Sequence, residues 1–125
     1  MHKQAVRKEP IVWIIDRRHW PRAYLRSELI ERGFDAIGYT HLSEAVAVLR
    51  LGSAARPRAI VLELRDQYIE PGQLDTLARS GIPVLLLTGV FEANERLANA
   101  YSWAGVMRRP FTIGSVADKV QKIVG

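Results

Sequence analysis

The side chains in this sequence best equipped for chemistry are two carboxylates, a hydroxyl and two guanidinium groups, each standing where an apolar run ends. Asp16 closes Ile11–Asp16 (IVWIID) and Arg17 follows it; Glu63 lies near the end of Ala59–Leu64 (AIVLEL); Thr88 closes Pro83–Thr88 (PVLLLT). Arg109 follows a shorter run, Gly105–Arg108. Carboxylates can hold a cation or receive a transferred group, and arginine grips a carboxylate or phosphate with two parallel N–H donors. A plainer reading of Asp16 and Glu63 is solvated strand-end acids, and of Thr88 a hydroxyl bonded to nearby backbone. His2, His19 and His41 share no metal-ligand spacing, so a metal site is not expected. No Gly-rich phosphate loop, nucleophile elbow or Walker sequence is present.

The apolar runs that carry these residues lack in/out alternation, which suits strands covered on both faces. Between them lie helical patterns. Pro21 fits the first position of a helix reaching about Arg32, with Leu25, Leu29 and Ile30 as its apolar stripe and Gly33 just past its end. Asp35–Thr40 reads as a second strand. Ser43 caps a second helix that buries Ala45, Val46, Val48 and Leu49 and closes at Gly52. A weak helix spans Leu74–Arg79, another spans Glu92–Tyr101 with Leu97, Ala98 and Tyr101 inward, and Thr112–Val124 carries the clearest helical spacing. Five strands alternating with five helices give right-handed βαβ units. The expected fold is a flavodoxin-like three-layer α/β/α sandwich, a five-stranded parallel sheet of order 2-1-3-4-5, with functional residues gathered at the carboxyl ends of the strands.

The bulk properties narrow the function. The chain has 125 residues, 48% hydrophobic and 25% charged, which suits one domain over residues 10–125 behind a flexible basic tail, residues 1–9. No apolar run approaches the roughly 20 residues that span a bilayer, and the start lacks a signal-peptide core. Without cysteine there is no thiol chemistry, and a cytoplasmic setting is expected. The net charge is +5, and 14 of 18 basic residues are arginine. They are scattered with no run beyond two, which argues against nucleic acid as this domain's partner.

The order and spacing of these features, from Ile11 to Val124, resemble the receiver domain of bacterial two-component response regulators, a CheY-like fold. The resemblance rests on an acid closing strand 1, the helix end Glu31–Phe34, an acid closing strand 3, Thr88 closing strand 4, and Arg109-Pro110-Phe111 after strand 5. It implies a cis peptide bond before Pro110. It also places Glu63 where the family has its phosphorylated aspartate, and Asp16-Arg17 where two adjacent acids hold Mg²⁺. Arg109 stands for the lysine that pairs with the phosphoryl group, and Val106 for the aromatic switch residue. Only Asp16 and Thr88 keep the family's identity.

Those departures shape the functional expectation. Mg²⁺ takes near-octahedral oxygen ligands, and Arg17 removes one carboxylate while adding positive charge beside the metal position. Glu63 is a methylene longer than aspartate, in chemistry that tolerates little misplacement. Mg²⁺ binding is therefore expected to be weak or lost, with no other cofactor. Arg17 or Arg109 is expected to pair with Asp16 and Glu63, or Glu63 to mimic a phosphoaspartate facing Thr88 and Arg109. The reading is an atypical, non-enzymatic receiver that acts by protein–protein contact independently of phosphorylation. Its partner would be a histidine kinase, an output domain or another receiver, and a homodimer could form through the fourth helix, fifth strand and fifth helix. The alternatives are a phosphorylatable receiver with an unusual site, and a small-anion or nucleotide binder using Arg17, Arg18, Arg65 and Arg109.

Overall fold

In the computed structural model, which describes residues 9–52 and 55–125, five parallel strands form one sheet in the order β2-β1-β3-β4-β5. The strands are β1 (Ile11–Ile15), β2 (Asp35–Tyr39), β3 (Ala59–Glu63), β4 (Val84–Thr88) and β5 (Gly105–Arg108). The helices are α1 (His19–Glu31), α2 (Leu42–Leu51), α3 (Gln73–Arg79), α4 (Glu95–Ala98) and α5 (Ile113–Val124). The expected basic tail lies outside the described residues apart from Glu9. Among the described residues no helix is long and apolar enough to cross a membrane.

Every residue of β3 and β4 is buried, as the continuous apolar runs require of strands covered on both faces. Alternate side chains feed two apolar layers. One joins Trp13, Ile15, Ile60, Leu62 and Leu86 to Leu42, Val46, Leu74 and Leu77. The other joins Val12, Ile14, Val61 and Leu85 to Leu25, Leu29, Val116 and Val120. At about 25 cal/mol per Å² of apolar surface, these two layers are the main favourable contribution to folding.

Several local expectations are corrected. α1 begins at His19, so Pro21 is its third residue; the whole first turn lacks intrahelical N–H partners, so proline is tolerated there too. Ile30 is exposed, while Leu25 and Leu29 carry the buried stripe. α2 is capped at His41 rather than Ser43 because the Glu44 carboxylate accepts from the His41 N–H at 2.8 Å and Gln67 Oε1 accepts from the Leu42 N–H at 2.9 Å. Val48 and Leu49 are half-buried. The helix expected over Glu92–Tyr101 shrinks to α4, four residues, with Leu97 exposed. Phe91 enters it with φ of 64°, a left-handed conformation costly for a non-glycine residue, and the thin apolar stripe gives little packing to lengthen it.

Candidate functional site

The parallel register sets the carboxyl ends of β1, β3, β4 and β5 side by side. Ile15 pairs with Leu62, Glu63 with Leu87 and Thr88 with Arg108. The ladder runs one residue further at each end: the Asp16 N–H donates to Tyr39 O at 3.0 Å and the Arg109 N–H to Thr88 O at 2.8 Å. Asp16, Glu63, Thr88 and Arg109 therefore meet along one edge of the sheet.

Glu63 is 6% exposed, so it is no solvated strand-end acid. Its Oε2 accepts the Arg65 N–H at 2.9 Å, and its Oε1 is held by Nη1 of Arg109. Burial pushes the Glu63 carboxyl up, and the nearby Asp16 charge adds to this; the Arg65 N–H and the Arg109 guanidinium oppose it. Asp16 is equally buried. Its Oδ1 accepts the Arg18 N–H at 2.8 Å, and its own carbonyl accepts from Arg22 Nη1 at 2.7 Å. Burial raises this carboxyl too, against the Arg18 N–H and the charges of Arg22, Arg18 and Arg65.

Of the two arginines expected to pair with these acids, Arg109 does so with Glu63 alone. Arg17 pairs with neither: it is exposed and its Nη1 reaches Asp66 O at 3.4 Å. Asp16 is thus left with a backbone donor and, among the described residues, no guanidinium on its carboxylate. Arg109 also lies 5.9 Å from the Phe111 ring centroid, and the Arg109–Pro110 bond is cis. Thr88 is fully buried, and its Oγ1 has no hydrogen-bond partner among the described residues. Val106 stands about half-exposed on β5.

Three residues that shape this edge escaped the sequence reading. Gly89 leaves the room that Arg109 fills, since a Cβ there would lie 2.7 Å from Nε and 2.8 Å from Nη2. A glycine directly after a strand-end Thr was the available signal for such a close approach. Gln67 is buried and ties the β3–α3 loop to α2, donating to Thr40 O at 2.9 Å while accepting from Leu42. Asn94 Nδ2 donates to Leu64 O at 2.9 Å and Gln67 O at 2.8 Å, pinning the β4–α4 loop to the β3–α3 loop. Neither residue carries a local pattern that marks this role.

The donor set does not fit the Mg²⁺ that the resemblance implies. Both Glu63 oxygens and one Asp16 oxygen are already engaged, a guanidinium sits on Glu63, and among the described residues no third carboxylate joins the two acids. Among the described residues no group of three or more His, Cys, Asp or Glu side chains is placed to hold a metal ion.

No protein-family model matches this sequence, and no curated protein matches it. Solved structures do. The chain is similar to the receiver domain of the Francisella response regulator 1452, with a TM-score of 0.75 at 17% identity, covering 92% of this chain and 96% of that one. A response regulator receiver protein from Burkholderia phymatum matches with a TM-score of 0.73 at 24% identity, covering 94% and 96%. One from Sinorhizobium medicae matches with a TM-score of 0.76 at 18% identity, covering 93% and 94%. Element order, strand order and near-complete coverage in both directions agree: the chain has the fold of response-regulator receiver domains.

Proposed function

We propose that this chain is a non-enzymatic signalling module that uses the receiver fold without phosphorylation, its partner being a histidine kinase, an output domain or another receiver. The observation that carries the reading is the Arg109 guanidinium seated on Glu63 over Gly89. Glu63 stands where a receiver's acceptor carboxylate would be, and each of its oxygens is engaged, one by Arg109 and the other by the Arg65 N–H. An internal cation thus supplies the charge that Mg²⁺ would otherwise supply. Arg17, in place of a second acid, adds positive charge at the edge and no ligand.

In this reading the domain is held in one state and communicates by contact. The face formed by α4, β5 and α5 offers exposed Val106 and Leu97 beside the Arg108–Glu95 ion pair. A half-exposed aliphatic residue replaces the aromatic switch there, which suits a constant docking face better than a toggled one.

The deciding experiment is thermal melting with Trp fluorescence, with and without Mg²⁺ and with Mg²⁺ plus beryllofluoride, an acyl-phosphate mimic. A ligand that binds only the folded state raises the melting temperature. The expected result is no shift at millimolar Mg²⁺, with or without beryllofluoride. A saturable rise with beryllofluoride would overturn the proposal and make Glu63 an acceptor.

A further inference from the structure

The two outer strands of the sheet differ in what they leave open. β5 has four residues and ends on Arg108, which pairs with Glu95; β2 has five, DAIGY, with a charge only at its first position. A parallel strand gives alternate residues to each of its two sides. The Asp35 N–H donates to Pro10 O, and Tyr39 O accepts from the Asp16 N–H. Asp35, Ile37 and Tyr39 therefore bond to β1, and Ala36 and Gly38 turn their N–H and C=O groups to the side where no strand follows. Ile37 is exposed beside them. Unpaired groups on such a strand are a template for another strand, and proteins that remain single blunt the edge.

Two arginines of α1 cover it. Arg26 Nε donates to Ala36 O at 2.8 Å, taking an outward carbonyl. One helical turn earlier, the stem of Arg22 lies against Gly38, where a Cβ would come within 3.0 Å of Cδ, and its Nη1 is anchored on Asp16 O at 2.7 Å. Gly38 has no positive φ, so this glycine serves a close approach and not a turn. The arrangement recurs at the other edge. Gly105 of β5 leaves room for the stem of Lys119 from α5, whose Cε would lie 3.0 Å from a Cβ there. Each outer strand thus carries a glycine beneath a long basic side chain from the helix that flanks it.

We infer that Arg22 and Arg26 are edge guards, which keep β2 from pairing with β2 of a second copy. The pairing they prevent is antiparallel, about a two-fold axis at Ile37. In it Ala36 of each copy exchanges N–H···O bonds with Gly38 of the other, and the two Ile37 side chains stand opposite each other on one face. Arg26 withdraws the Ala36 acceptor from each half of that ladder, and the Arg22 stem occupies the space beside Gly38. The guarded edge lies two strands from Glu63 and does not depend on the function proposed above.

The test is sedimentation velocity over a concentration series, joined to amide hydrogen exchange at β2, on the whole chain and on variants whose folding is checked by their melting curves. The parent chain is expected to leave its β2 edge unpaired and to exchange the Gly38 amide fast. Arg22→Ala with Arg26→Ala should self-associate about tenfold more tightly or better, and slow exchange at Ala36 and Gly38 by a similar factor. Adding Ile37→Lys, which sets like charges opposite each other across the new pair, should abolish that association. Arg26→Ala alone uncovers only Ala36 O among the described residues, and gives the same readout if loss of the Arg22 bond to Asp16 O unfolds the double variant. Folded variants that stay monomeric at submillimolar concentration, association without protection at Gly38, or association indifferent to Ile37→Lys would each overturn the inference. So would a parent chain whose Gly38 amide is already protected by pairing with a second copy.

Discussion

Replacing Arg109 by glutamine removes the cation from a carboxylate whose side chain is only 8% exposed, while Glu63 keeps a single backbone donor and the Asp16 charge nearby. Two opposite unit charges about 4 Å apart are worth roughly 4 kcal/mol at an effective dielectric of 20. Breaking a fully buried pair from one side costs about 3–5 kcal/mol. Arg109 retains some solvent contact, so the cost is shifted down from that range, to about 2–4 kcal/mol. For a chain of this length that is a drop in melting temperature of roughly 8–16 °C. The loss must also depend on pH. The folded-state pKa of Glu63 lies above its unfolded value and rises further without Arg109, so the folded state binds this proton more tightly. Stability linked to it is present below the unfolded pKa and is lost as pH rises through the folded pKa. The variant should therefore approach the parent as pH falls from neutrality towards the acidic range. Urea unfolding followed through buried Trp13, at several pH values, measures both effects. The double variant with Glu63→Gln should lose less than Arg109→Gln alone, since it leaves no bare carboxylate, with a coupling of about 1–3 kcal/mol. A cost for Arg109→Gln below about 0.5 kcal/mol, or strict additivity in the cycle, would refute the idea that this pair governs the edge.

Gly89→Ala should cost less, about 1–2 kcal/mol, because its Cβ meets the flexible end of Arg109 and not backbone, and Gly89 has no positive φ to forbid alanine. In the Arg109→Gln background the same substitution should be nearly silent by urea unfolding. Asp16→Asn should raise the melting temperature at neutral pH and flatten its pH dependence. The buried Asp16 carboxylate has a raised pKa, and asparagine keeps an oxygen for the Arg18 N–H without the charge. Gln67→Ala should cost about 2–3 kcal/mol by strand- and loop-resolved hydrogen exchange and denaturation, because it strands the buried Leu42 N–H and the Thr40 carbonyl.

These residues also mark how far the sequence could be read. The runs IVWII, AIVLE and VLLLT announce buried strands because burial on both faces demands unbroken apolar residues, and each strand runs to within a residue or two of its expected ends. The sheet order follows from the handedness of βαβ connections, and the meeting of Asp16, Glu63, Thr88 and Arg109 follows from that order. Which arginine closes the site does not. Arg17 is adjacent in sequence to Asp16, yet the turn after β1 sends its side chain towards Asp66; Arg109 is 46 residues from Glu63, yet the ladder brings it across β4. Sequence proximity measures chain distance, whereas an ion pair is set by the direction in which a strand end releases its next side chain. The same holds for Gln67 and Asn94, whose bonds span 25 to 30 residues and leave no periodic trace. α4 fails for the converse reason: its composition permits a helix, but Asn94 is tied to the β3–α3 loop and Phe91 turns left-handed, so tertiary bonds shorten what local propensity would extend.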